Sequence, residues 1–344
     1  MATLRTATPV PRPSLHRPPC PFARLLVCSS AVALPQRLNR RDKISAIEAK
    51  SFAPTTVLIR NRLYFVAFGR LTGVERVLKP GEYALSPGMR PVEILDRFRH
   101  GAVVLHAVTI PEGYTARQIA QVLDEAGIGN PREFLRLVSA ADFIRSLGLD
   151  LPNLEGYLFP DTYAFPRHVS TEEIVRNMVA HFRAVYRQEW HDRALALGMT
   201  DHQIITLASI IEKETGSGAE RPFVSAVFHN RLRLGMPLQS DPTVIYSIAE
   251  FNGNLTKVDL KRDTPYNTYR RRGLPPGPIA NPGREALEAA LYPAQVEYLY
   301  FVSKNDGTHW FSRSIKEHNR AVALFQRRSQ IRTVPRHTIL PKVS

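Results

Sequence analysis

The sequence predicts an α+β fold, in which a small mixed module precedes a larger mixed α/β domain. Two observations carry this. Between 57 and 105 short strand signals alternate with helical ones. From 106 to 330 helical periodicities are separated by short apolar strands and Gly- or Pro-rich turns. A chain of 344 residues is long enough for roughly two domains. Its 44% hydrophobic and 22% charged content excludes a wholly disordered chain, a collagen and a multi-span membrane protein.

Residues 1–56 read as a basic, Pro-rich arm whose first acidic residue is Asp42. It is either disordered, a targeting segment, or the product of an aberrant start. The apolar stretch 25–34 suits a signal core in length and is too short to span a bilayer. Arg60, Arg62 and Arg70 interrupt the apolar stretch 57–71, so no membrane helix is recognisable.

Residues 79–83 read as a turn into a strand and 91–98 as a helix with Val92, Leu95 and Phe98 on one face. A strand follows at 106–110. Thr115 then opens a helix with the box T-x-x-Q, closed by Gln118. Residues 153–166 read as a structured aromatic loop. Helical patterns follow at 171–197, 200–215 and 222–234, a Pro/Gly/Tyr-rich stretch at 263–283, a helix at 284–291, a strand at 298–302 and a helix at 314–328. The last residues, 331–344, form a basic tail.

Charge narrows the partners. Lys and Arg number 46 against 31 Asp and Glu, for a net charge of +15 and a pI near 10.1. Such a balance suits nucleic acid, an anionic membrane surface or an acidic wall polymer. Cys20 and Cys28, the two cysteines, leave the body of the chain without disulfides or thiolate metal sites. There is no phosphate-binding GxxxxGK[ST], no HExxH and no GxSxG, and the eleven histidines lack ligand spacing, so neither cofactor nor metal is expected.

The segment 200–216 is the most informative. Thr200 and Gln203 form a capping box, and Ile204, Leu207, Ala208 and Ile211 form the apolar stripe. Glu214 lies within about 20° of Leu207 around the helix, whereas Glu212 is turned about 100° from Ile211. Glu214 therefore extends the buried face. Apolar surroundings and the negative helix end both raise its pKa, which suits a general acid. The plain alternative is a surface glutamate paired with Arg221 or Arg231.

Other segments supply candidate cleft residues. Helix 222–234 carries Asn230 beside Arg231. The turn 238–243 makes Asp241 the expected cap of a helix through Val244 and Tyr246. Residues 266–281 combine aromatic, amide and arginine side chains, which suit sugar rings or single-stranded nucleic acid. His309 and His318 read as ordinary satisfied histidines.

Taken together, EGYLFPDTY (155–163), LASIIEKET (207–215), ER (220–221), VFHNRLRLGMPLQSDPTVIY (227–246), YNTY…GLPPGPIANPG (266–283) and YLYFVSKNDGTHWFS…EHN (298–319) resemble the endolytic murein transglycosylase, or YceG-like, family. The resemblance covers about 57–328. It implies a bacterial lyase that cuts peptidoglycan glycan strands between N-acetylmuramic acid and N-acetylglucosamine, leaving 1,6-anhydromuramyl ends and terminating nascent strands. It implies a LysM-like module at 57–105, lacking a complete first helix, and a YceG-like catalytic domain at 106–330. It also implies a cell-envelope location, with the catalytic domain in the periplasm beside the inner membrane, and peptidoglycan synthases as partners.

The family's essential glutamate falls on Glu214. Glu220, Asn230, Gln239, Asp241, Tyr246, Tyr266, Asn267 and Tyr269 are the substrate-binding candidates. Rival readings are a non-catalytic wall-binding scaffold and a basic nucleic-acid-binding protein. Under the transglycosylase reading the partner is glycan and not nucleic acid.

Overall fold

The computed structural model describes residues 23–27, 50–51, 62–74, 77, 81–86 and 88–331. Most of the arm at 1–56 and the tail beyond 331 lie outside the described residues. The chain divides into two compact units. One holds residues up to His106 together with Pro166–His168; the other holds Ala107–Phe165 and the chain from Val169 onward.

The first unit has a three-stranded sheet in the order β2–β1–β3, with β1 at Ala23–Val27, β2 at Lys50–Ser51 and β3 at Gly81–Leu85. Both pairings are antiparallel. Helix α1 spans Arg62–Leu71 and α2 spans Pro91–His100. Pro91 starts α2 where no N–H is needed, and Gly101 ends it in the left-handed conformation (φ 66°). Its buried face, Ile94, Leu95 and Phe98, packs with Tyr83 and Leu85 of β3. The Tyr83 and Phe98 rings meet edge to face at 4.7 Å.

The second unit has two hydrophobic cores. Strands β4 (Leu105–Thr109) and β5 (Thr162–Pro166) pair, the break between the units falling at their ends. Helices α3 (Ala116–Glu125), α4 (Pro131–Ser139), α5 (Ala141–Ser146) and α6 (Thr171–Val185) close the first core over Ile119, Phe134, Ile144 and Met178. The stretch expected as a loop at 153–166 therefore ends in a strand. The helical run expected at 171–197 is two helices, because Tyr186 leaves helical geometry before α7 (Gln188–Ala196).

Helix α8 (Asp201–Glu214) forms the axis of the second core. Every residue from Ile204 to Ile211 is buried, so the helix is enclosed all round rather than along one stripe. It is packed by α7, α9 (Arg221–Arg233), α10 (Asp241–Tyr246) and α11 (Arg284–Leu291). The antiparallel hairpin β6 (Tyr300–Ser303) and β7 (His309–Ser312) then packs with α12 (Ile315–Ile331).

Asn281 and Glu155 join the two cores. Asn281 Oδ1 accepts the Gly156 and Leu158 N–H groups at 2.8 and 2.9 Å. Its Nδ2 donates to the Tyr114 carbonyl at 2.9 Å and to Glu155 Oε1 at 2.8 Å. Glu155 also accepts the Ala116 N–H at the start of α3, at 3.0 and 3.2 Å to its two oxygens. Gly156 holds φ at 87°, and a Cβ there would sit 2.5 Å from Pro278 Cγ, so glycine is required. Asn281→Ala orphans two buried N–H groups and removes one of the donors to Glu155 Oε1. It should cost about 2–4 kcal/mol, read as a lowered urea midpoint against an exposed control such as Gln295→Ala.

Candidate active site

Glu214 is the last residue of α8. The capping box holds the other end of that helix: the Gln203 N–H donates to Thr200 Oγ1, and the Thr200 N–H to Gln203 Oε1. After Glu214 the backbone turns extended at Thr215 (φ −142°, ψ 132°). The two glutamates of the motif then part company. Glu212 accepts from Arg221 at 3.1 Å and from the Gly283 N–H at 3.0 Å, while Arg221 also pairs with Glu285. Glu212 is a structural brace. Glu214 meets Ser240 instead, whose hydroxyl donates to Oε1 at 2.5 Å.

Glu214 keeps part of its surface open yet lies deep among protein atoms. Burial pushes its pKa up to about 7, and the nearby Asp241 charge adds to the rise. The Ser240 hydroxyl and the Arg231 charge act the other way. A carboxyl titrating near 7 is half neutral at neutral pH. It can give up a proton and take one back.

Its surroundings come from three segments. Arg231 of α9 is buried, with Nε donating to the Leu299 carbonyl at 2.7 Å and Nη1 to that of Leu238 at 2.8 Å. Its guanidinium lies 5.2 Å from the Tyr300 ring centre. The His318 ring stacks on Tyr300, with its Nδ1 buried and without a hydrogen-bond partner.

Ser240 and Asp241 begin α10. Ser240, not Asp241, is the N-cap, and no side chain caps this helix. Asp241 is displaced by one residue from its expected place, and its Oδ1 accepts the Tyr269 hydroxyl at 2.6 Å. Gln239 just before is exposed and holds φ at 53°, a conformation side chains rarely adopt.

Asn267 builds the loop that presents Tyr269. It is fully buried, donating to the Leu260 and Arg262 carbonyls and accepting the Tyr269 N–H. Tyr246 and Tyr266 pack at 4.9 Å at the far end of α10, where the Tyr246 hydroxyl donates to Glu155 at 3.4 Å. Burial raises the Glu155 pKa to about 7 as well.

The structure thus gathers Glu214, Asp241 and Tyr269, with Gln239 at their edge, and collects Tyr246 and Tyr266 around Glu155. Two candidates lie elsewhere. Both Glu220 oxygens are taken by the His309 N–H and Nδ1, at 3.0 and 2.7 Å. The Asn230 amide donates to the Val296 and Tyr298 carbonyls at 2.8 and 3.0 Å, because α9 turns it away from Arg231 toward the 293–299 loop. Asn230 also lines a groove of about 1040 Å³ with His202, Gln203 and Arg233; Glu214 is not among its lining residues.

Sequence reasoning missed Ser240 and Glu155, and offered Arg231 only as a possible surface partner of Glu214. Ser240 carried a signal, since serine before Asp-Pro is a preferred helix cap. Among the described residues no cluster of three or more His, Cys, Asp or Glu side chains is placed to hold a metal ion.

This arrangement sits in a chain whose residues 41–324 match the YceG-like family. An endolytic murein transglycosylase of Bacillus subtilis is 34% identical over 277 residues, covering 75% of each chain. Its namesake from Streptococcus pneumoniae is 30% identical over 279 residues, covering 72% of this chain and half of its own. The crystal structure of a yceG-like protein from Listeria monocytogenes superposes with a TM-score of 0.58 at 32% identity, covering 87% of this chain and 98% of that one. Sequence match over most of the length and a shared fold agree, and the chain belongs to the YceG-like family.

Proposed function

We propose that the protein is a lytic transglycosylase of peptidoglycan, with Glu214 as both acid and base. One observation carries this reading: a carboxyl at the end of a buried helix, raised to about 7, with Oε1 held by Ser240. Among the described residues no hydrogen bond reaches its second oxygen. The names of the relatives from Bacillus subtilis and Streptococcus pneumoniae support murein as the substrate.

In this mechanism neutral Glu214 protonates the oxygen between N-acetylmuramic acid and N-acetylglucosamine as the C1–O bond breaks. The muramyl C6 hydroxyl bonds to C1 and returns its proton to the carboxylate. No water is consumed, and one carboxyl serves both steps, unlike the pair of a glycoside hydrolase. The Asp241 charge helps keep Glu214 protonated. Gln239, Tyr269 and the Tyr246–Tyr266 pair supply the amide, hydroxyl and ring surfaces that hold the sugars.

The finer assignments follow the same reading. Cleavage falls inside strands and terminates nascent ones, in the cell envelope beside the inner membrane and its synthases. The small unit built on Tyr83 and Phe98 is a LysM-like grip on glycan. Among the described residues no single helix is long and apolar enough to cross a membrane.

Purified sacculi digested with the protein should release fragments ending in 1,6-anhydromuramic acid by mass spectrometry. Glu214→Gln should lower that release by at least about 100-fold while circular dichroism stays unchanged. Release of hydrolytic ends, or glycan binding without cleavage, would contradict the reading.

The rate should follow the neutral carboxyl. Relative kcat/KM should fall as pH rises through about 7.

Stability follows the same group with a defined sign. The folded protein binds the Glu214 proton more tightly than the unfolded chain, so its contribution is complete below the unfolded value of 4.5 and is lost as pH rises through about 7. Glu214→Gln should therefore melt higher than the parent protein at pH 8 and about level with it at pH 4, measured by calorimetry.

A further inference from the structure

The buried turn beside Glu214 is more highly organised than a loop contact requires. Ser240 is 1% exposed. Its N–H donates to Thr268 Oγ1 at 3.0 Å, its carbonyl accepts from Thr243 Oγ1 at 2.6 Å, and the two threonine hydroxyls lie 2.8 Å apart. Gln239, held at a positive φ, donates its own N–H to the Thr268 carbonyl at 3.2 Å. Backbone and neighbours are thus fixed, and the Ser240 hydroxyl is left with a single task, the bond to Glu214 Oε1.

We propose that Ser240 is a positioning residue: its hydroxyl holds Oε1 of Glu214 and so leaves the transferable proton on Oε2. This rests on Glu214 being the acid. A serine hydroxyl that donates to Oε1 uses that oxygen's lone pair and disfavours a proton there. Oε2 accepts no hydrogen bond among the described residues, so it is the oxygen free to reach a substrate. The proton leaves Oε2 as the glycosidic bond breaks, and the C6 hydroxyl proton returns to the same atom. Ser240 itself exchanges nothing.

The charged and titratable groups acting on Glu214 are Asp241 from α10, Arg231 from α9 and Tyr269 from the loop after Asn267. No charged group of α7 or α11 is among them. Arg231 gives Nε and Nη1 to carbonyl oxygens, and Asp241 Oδ1 accepts the Tyr269 hydroxyl. Among the described residues Ser240 alone hydrogen-bonds the carboxyl of Glu214.

The test compares Ser240→Ala, Ser240→Cys and Glu214→Gln in full-length protein on soluble glycan strands. Ser240→Ala should lower kcat by about ten- to a hundredfold with KM unchanged. Its alkaline limb should move up by about one pH unit, because a donor to the carboxylate has been lost. Ser240→Cys, which keeps a weak donor in the same space, should recover part of both effects. It also serves if the alanine variant does not fold.

An alkaline limb that stays put or moves down would overturn the assignment; a downward move would mean that Glu214 donates to Ser240. So would an alanine variant with full kcat. If Glu214→Gln keeps its activity, the catalytic reading itself fails; if Glu214→Gln is dead while Ser240→Ala is normal, only the serine assignment fails.

Discussion

The enclosure of α8 is the constraint on which the rest depends. A helix buried from Ile204 to Ile211 can carry a charged side chain at modest cost only toward its ends. There a carboxyl meets both the core and the surface. Burial disfavours the anion, and the partial opening keeps the group reachable. Both properties come from the position of Glu214 at the last turn and need no dedicated machinery.

The motif's two glutamates show how two residues of chain direct chemistry. Glu212 faces Arg221 and the Gly283 N–H, and its charge is compensated. Glu214 faces a hydroxyl, and Arg231 gives Nε and Nη1 to carbonyl groups and forms no ion pair with it among the described residues. The first stabilises the seam between α8, α9 and α11. The second retains an uncompensated preference for its proton. The same side chain is braced as an anion or left to keep its proton according to whether a cation pairs with it.

Much of this was legible in the sequence, and the failures have physical reasons. The Thr200–Gln203 box and the periodicity of α8 are local, so the helix and the inward turn of Glu214 could be read from spacing. The α10 cap went to Asp241 rather than Ser240 because both residues favour caps, and only the tertiary pull of Tyr269 separates them. Tyr246 and Tyr266 were recognised, but their meeting with Glu155 was not. That contact joins positions far apart in sequence, and periodicity carries no such information. Asn230 and Glu220 stood in the right motif. Their partners, the 296–298 backbone and His309, come from a loop and the hairpin after it, whose packing no local pattern describes.

Helix α10 has one feature with wider reach. Its six residues start at the Ser240 cap on Glu214 and finish at Tyr246, which touches Glu155, and Glu155 in turn clasps the start of α3. The short rod therefore links Glu214 to the seam of the two cores by a continuous run of contacts. A shift of the tyrosine end would bear on the serine end, so under the proposed function a sugar held at Tyr246 would be felt at Glu214.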